Sequence, residues 1–257
     1  MIRIPSRAVV ASVLSLGVLG TASACGVGAQ LRAQAPAAPP HSARPSPAAS
    51  PSPVPLTEAQ ARAALVTEGD LGEPWAATQG AATWRDGVLK ANTDAPDCRR
   101  LLEALYTDDL FGKEARTSAV TGLDDPLDQA QLRYQVLALD PGDVDRTLAW
   151  MKTLPKKCGT FTAVTEHGAV RSGQVTEAAL PAIGDARQGL RVTLAGEAAG
   201  GEPTVLTLDV VAVRLGDDTI TFTHGGLGEI SADATSAVAQ VGLSRLDGIK
   251  KQGRVQV

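Results

Sequence analysis

The sequence predicts an α+β fold, one mainly antiparallel sheet of five to seven strands with packed helices, forming a single domain behind a disordered tether. Three observations predict it. Beyond about residue 116, apolar side chains recur at every second position in several separate runs, the spacing of half-buried strands. Stretches around Cys98, around Met151 and near the C-terminus carry them at helical spacing instead. A segment rich in Ala, Pro and Ser separates the N-terminus from everything able to build a core.

Taken from the start, residues 1–24 have the grammar of a secretory leader. Arg3 and Arg7 make a positive start, and Ala8 to Gly20 is an unbroken apolar or small run. As a helix that run rises only ~20 Å, short of the ~30 Å hydrocarbon core, so a permanent span is not expected. Ala22-Ser23-Ala24-Cys25-Gly26 follows. Small residues directly before a cysteine suit both a peptidase groove and thioether formation with diacylglycerol. This resembles the lipobox of bacterial lipoproteins, although that pattern prefers Leu where Ala22 stands. The resemblance implies lipidation of Cys25. Plain cleavage after Ala24, leaving Cys25 unmodified, is the other reading. Of the three cysteines in the chain, lipidation of Cys25 leaves Cys98 and Cys158 as a disulfide pair.

Residues 25–56 then form the tether. Eight of the sixteen prolines fall between Gly26 and Pro55, where they block helix and ladder formation, and the segment offers little to bury. His41 lies there and is expected to be solvated. Residues 57–257 make the globular body.

In the body, Thr57 is placed to cap a helix whose apolar stripe is Ala61, Ala64 and Leu65, and Leu71 to Trp75 reads as a turn. A second helix starts near Pro96, with Cys98, Leu101, Leu102 and Leu105 on one face and Gly112 at its end. Strands are expected over Arg116 to Gly122 and Gln131 to Leu139. A helix begins at Asp140-Pro141, with Asp143 as its cap, and runs to Cys158. Phe161 to Glu166 pairs with Ala169 to Glu177 across His167-Gly168, and Gly189 to Gly196 alternates as a further strand. Thr204 to Leu215 and Thr219 to His224 form a hairpin turning at Gly216-Asp217-Asp218, and Gly225-Gly226 breaks the sheet. A closing helix spans Ser231 to Lys250, burying Val238, Val241, Leu246 and Ile249. A Cys98–Cys158 bridge would close a loop worth ~4 kcal/mol in chain entropy.

Several of these features together are familiar: the lipobox, the Ala/Pro/Ser tether, the opening helix ending in LGEPW, the helix bearing Cys98, and AWMKTLPKKC ending in Cys158. In that order they resemble the PknH-like extracellular sensor domain family, found on actinobacterial receptor kinases and free-standing lipoproteins. The resemblance covers most of residues 57–250 in element order. It implies an extracytoplasmic domain with a cleft for a ligand, and supplies neither the ligand nor a kinase domain. Members often carry two intradomain disulfides, whereas this chain has cysteines for one.

Charge narrows the partners. Net charge is −4, and losing Arg3 and Arg7 with the leader leaves 22 basic against 28 acidic residues, or −6. An acidic chain of this kind argues against nucleic acid and against a polybasic grip on anionic lipid, so membrane attachment, if present, has to be covalent. His224 follows Ile220 and Phe222 at period two, beside a glycine run, and is the leading ligand-binding candidate. A hydrogen-bonded structural histidine is the plainer account of it. Trp75 after Pro74 is the second candidate, a groove aromatic, whereas Trp150 reads as core, and Trp84 has no role beyond a possible groove lining. Gly225-Gly226-Leu227-Gly228 lacks phosphate-loop spacing. The acidic groups Asp124-Asp125, Asp140/Asp143/Asp145 and Asp217-Asp218 lack a calcium-loop pattern, GxSxG is absent, and no zinc set is present. No catalytic residue, metal or cofactor is expected.

The expectation is therefore a lipoprotein on the outer side of the cell membrane, anchored through Cys25. Its domain is a non-enzymatic sensor or ligand-binding module for an unidentified small molecule or envelope component. A lipid or glycolipid carrier is the alternative, and requires a dry apolar cavity larger than ~1,000 Å³, since ordinary ligand pockets are smaller.

Overall fold

A computed structural model of the chain describes residues 55–80, 82–198 and 200–255. The expectations for residues 1–24, for Cys25, for His41 and for most of the tether lie outside the described residues. The described part is a nine-stranded, wholly antiparallel sheet with five α-helices. Seven strands have five or more residues: β3 (Thr117–Asp125), β4 (Ala130–Ala138), β5 (Phe161–Thr165), β6 (Val170–Glu177), β7 (Ala186–Glu197), β8 (Pro203–Leu215) and β9 (Asp218–Leu227). The two beyond the expected number are two-residue strands at the sheet edges, β1 (Ala76–Ala77) and β2 (Ala91–Asn92). The spatial order is β1-β3-β4-β9-β8-β7-β6-β5-β2.

The helices are α1 (Glu58–Ala63), α2 (Glu68–Leu71), α3 (Pro96–Thr107), α4 (Pro141–Lys157) and α5 (Ala232–Val255), with one π-turn at Arg85–Leu89. Thr57 caps α1 as expected: its hydroxyl accepts from Gln60 N–H at 3.2 Å while the Gln60 side chain accepts from Thr57 N–H at 2.9 Å. Asp140, not Asp143, caps α4, because only Asp140 precedes the first turn with its carboxylate on the Gly142 amide at 2.9 Å. Asp143 pairs with Arg146. The helix bearing Cys98 ends at Thr107 rather than near Gly112, since Asp108 adopts the left-handed conformation (φ 56°) and closes it onto Ala104 C=O.

The glycine pair after His224 does not break the sheet. β9 runs on through Gly225 and Gly226, which pair with Gln131 and Ala130 on one side and Leu208 and Thr207 on the other. A Cβ on Gly225 would lie 2.1 Å from Leu208 Cδ2, so glycine is what lets the strand stay in register there.

Each face of the sheet is half covered. Leu206, Leu208, Val210 and Ala212 of β8 join α3 and α4 in one core, together with inward residues of β5, β6 and β7. The alternate residues Val211 and Val213 join a second core under α1 and α5, with Leu132, Tyr134, Val136, Ile220 and Phe222. β8 is thus buried on both faces, and its continuous apolar run follows. Cys98 and Cys158 are disulfide-bonded, with their Cα atoms 5.7 Å apart, and pin the start of α3 to the end of α4 inside the first core. Nearby, Asp97 accepts from Trp150 Nε1–H at 2.9 Å and pairs with Lys157 at 3.0 Å.

Candidate functional site

The structure brings together the two residues singled out as ligand candidates. The Trp75 and His224 rings lie 5.6 Å apart, tilted by 59°. Trp75 arrives on the segment between α2 and β1, and His224 points toward α5 from β9, on the face shared with Ile220 and Phe222. His224 is 2% exposed and lines none of the four principal pockets.

Its polarity is met by a chain of buried groups. Thr235, in the first turns of α5, donates to Asp209 Oδ2 at 2.7 Å, a shorter contact than its 3.3 Å approach to Ser231 C=O. A hydroxyl has one proton, so the Thr235 oxygen accepts from His224 Nδ1–H across 2.9 Å. Arg191 grips Asp209 through Nε at 2.7 Å and Nη2 at 2.8 Å, the strong bidentate form. Pairing of Asp209 with both Arg191 and His224 in the sheet register sets this line across β7, β8 and β9. Burial pushes His224 below its ordinary pKa. Asp209, Asp125 and Asp128 pull it upward and Arg191 pushes it down, and burial prevails.

The order of groups decides what this chain does chemically. In nucleophilic catalysis the histidine takes the hydroxyl proton and a carboxylate orients the histidine. Here the hydroxyl stands between histidine and carboxylate and gives its proton to the carboxylate. Thr235 is therefore not activated, and the network joins three strands to α5.

The largest of the four principal pockets lies elsewhere, at the β2 edge, with a volume of about 540 Å³. One wall is α3, which presents Arg99, Glu103 and Tyr106, with Leu102 at the base; the other is the edge formed by Lys90, Ala91 and Asn92 of the β2 segment and Val164 to Glu166 of β5. Lys90 Nζ pairs with Glu166 at 2.7 Å and sits 5.4 Å from the centre of the Tyr106 ring. The hydrogen bond that Lys90 donates to Glu166 raises its pKa; desolvation opposes this, and the Glu166 charge and the nearby phenol add to the rise. Tyr106 donates to Asp86 at 2.9 Å. The lining carries two basic and two acidic groups, with an apolar base.

Sequence reading missed this cleft. Its walls come from positions 89–106 and 164–166, and no spacing rule links them; the one local signal is that Arg99, Glu103 and Tyr106 fall off the Leu stripe of α3. His167 is exposed at the β5–β6 tip, as expected. Trp150 packs half-buried on the first core beneath Arg100, whose guanidinium lies 3.9 Å from its ring centre, and Trp84 is buried in that core. Among the described residues, no group of three or more His, Cys, Asp or Glu is arranged to hold a metal ion, and no helix is long and apolar enough to cross a membrane.

No family model and no curated protein matches the chain. Among solved structures, it is similar to the extracellular domain of PknH from Mycobacterium tuberculosis, with 15% identity and a TM-score of 0.45 over 77% of this chain and 99% of that one. A likeness of that size carries no functional argument.

Proposed function

We propose that this chain is a non-enzymatic ligand-binding domain of the cell envelope, tethered to the outer side of the cytoplasmic membrane through lipid on Cys25, and that the cleft at the β2 edge is its ligand site. The cleft carries the reading. At about 540 Å³ it falls within the ~300–1,000 Å³ of small-molecule sites, and it combines an apolar base with a few convergent polar groups. The buried Cys98–Cys158 bridge suits an oxidising compartment, and the leader with Ala22-Ser23-Ala24-Cys25 supplies the export route. The carrier alternative calls for an enclosed apolar cavity above ~1,000 Å³. The largest principal pocket is half that size and lined by charged groups, which favours the binding module.

The test is native mass spectrometry of the full chain after incubation with a cell-envelope extract, beside Glu103→Trp, which fills the cleft from an exposed position on α3. A small-molecule adduct on the wild-type chain that Glu103→Trp loses is the expected result. An adduct that persists in Glu103→Trp, or no adduct on either chain, overturns the assignment of the site. The intact mass of the mature chain tests the anchor: a diacylglycerol increment on Cys25 is expected, and an unmodified Cys25 refutes it.

A further inference from the structure

The cleft is bounded by a helix on one side and an open sheet edge on the other, and that edge has unused backbone valences. Glu166 N–H donates to Lys90 C=O at 3.1 Å, and Ala91 and Asn92 stand opposite Thr165 and Val164. Along an antiparallel pair, residues turn their N–H and C=O toward the partner strand alternately. The Lys90 C=O and Asn92 therefore face β5 (the Lys90 N–H closes the π-turn onto Arg85 C=O), and Ala91 points its N–H and C=O away from the sheet. β2 is the last strand in the order, so neither group of Ala91 has a strand partner among the described residues.

The charges opposite them are selective. Lys90 is already paired with Glu166. Arg99, exposed on α3, has no ion pair among the described residues. Glu103 lies one turn after it, the less favourable order for a helical ion pair, and leaves the guanidinium free for a better acceptor. With Lys90 and Arg99 balanced by Glu103 and Glu166, the lining is neutral. A polyanion such as a phosphate chain meets two carboxylates there, whereas a single carboxylate finds one fork-shaped donor.

We propose that the cleft receives the C-terminal end of an extended peptide, whose main chain adds to the sheet edge at Ala91 and whose carboxylate is held by Arg99. Strand addition beside a helix supplies main-chain hydrogen bonds irrespective of side chains. The exposed Val164 side chain and the Tyr106 ring, both in the lining, receive the side chains that face inward. This inference rests on the cleft being the ligand site and names the class of ligand.

The experiment titrates the full chain with N-acetyl-tetraalanine carrying a free carboxylate, with its C-terminal amide, and with acetate, followed by NMR. The acid is expected to bind about tenfold more tightly than the amide, the difference one charge-assisted contact makes. Acetate is expected to bind more weakly than either peptide. Arg99→Gln, at an exposed position, should bring the acid down to the level of the amide. In the wild-type chain the Ala91 amide proton should exchange freely alone and become protected when peptide is bound, a readout that needs no variant. Equal binding of acid and amide, or an Ala91 amide left unprotected at saturation, overturns the inference. If no peptide binds while the envelope adduct sensitive to Glu103→Trp is present, the peptide class fails and the ligand site stands. If neither is seen, both fail.

Discussion

Reducing the Cys98–Cys158 bridge is the most direct test of how this domain is held together. The cysteines are 60 residues apart, and closing a loop of that length in the unfolded chain is worth about 4 kcal/mol in the chain-entropy model. Domains of this kind are stable by only about 5–15 kcal/mol in total. For a body of roughly this size each kcal/mol moves the melting midpoint by about 2–4 °C, so loss of the bond should lower it by roughly 8–16 °C. The other ties between α3 and α4 do not compensate. Asp97 with Lys157 is a partly exposed pair, of a class worth about 0.2–1 kcal/mol. Both sulfurs are fully buried, so reductant has to be added to unfolded protein, which is then refolded under reducing conditions and melted beside the oxidised form. Reduction leaves both sulfur atoms in the core and isolates the loop term, whereas Cys98→Ala with Cys158→Ala adds a packing loss. A reduced protein that melts within ~2 °C of the oxidised one refutes the loop-closure reasoning.

Two further outcomes follow from the second core and from α5. Because burial holds the folded-state pKa of His224 below its ordinary value of 6.5, the unfolded chain takes up a proton that the folded chain refuses, and stability falls as pH drops below 6.5. Urea melts at about pH 7 and about pH 5.5 should show this decline in the wild type and a smaller one in His224→Gln; equal declines would show that another group carries it. On α5, a Cβ at Gly242 would sit 2.4 Å from the hydroxyl of Tyr134, which is fully buried, so Gly242→Ala should cost about 1–3 kcal/mol through overpacking. Gly248 has nothing within 4 Å, and Gly248→Ala should gain about 0.5–1 kcal/mol from helix propensity; thermal melts in which the two shift the same way would contradict the packing account.

What could be read from the sequence was what is encoded locally. The stripe of Cys98, Leu101, Leu102 and Leu105 repeats at the helical period, and every member is buried in the first core. The turn at Gly216-Asp217 between β8 and β9 was legible because glycine there adopts φ 66°. Strand ends were less legible, because a cross-strand partner decides them. Gly225 and Gly226 look like a breaker in one dimension and become ladder residues once Leu208 and Gln131 lie beside them. The same limit applies to the site. Period two correctly placed His224 on the face of Ile220 and Phe222, but Arg191, Asp209 and Thr235 reach it only through strand register and the entry of α5. β1 and β2 are too short to carry a period at all. They exist because neighbouring segments hold them, as where the Glu68 side chain accepts from the Ala77 amide at 2.8 Å.

The disulfide and the cleft are connected through α3. Cys98 precedes Arg99 directly and lies one turn before Leu102, so the bridge fixes the helical wall of the cleft to α4 next to the proposed carboxylate contact. The opposite wall is a two-residue strand held to the body by β5 and by the Lys90–Glu166 pair. A ligand that adds to this edge gains from one rigid wall and has to order only the other, which lowers the entropy it loses on binding. If the cleft receives a peptide as proposed, the covalent staple bears on recognition as well as on stability: it holds the backbone of the wall that carries Arg99, and adjustment falls to the sheet edge.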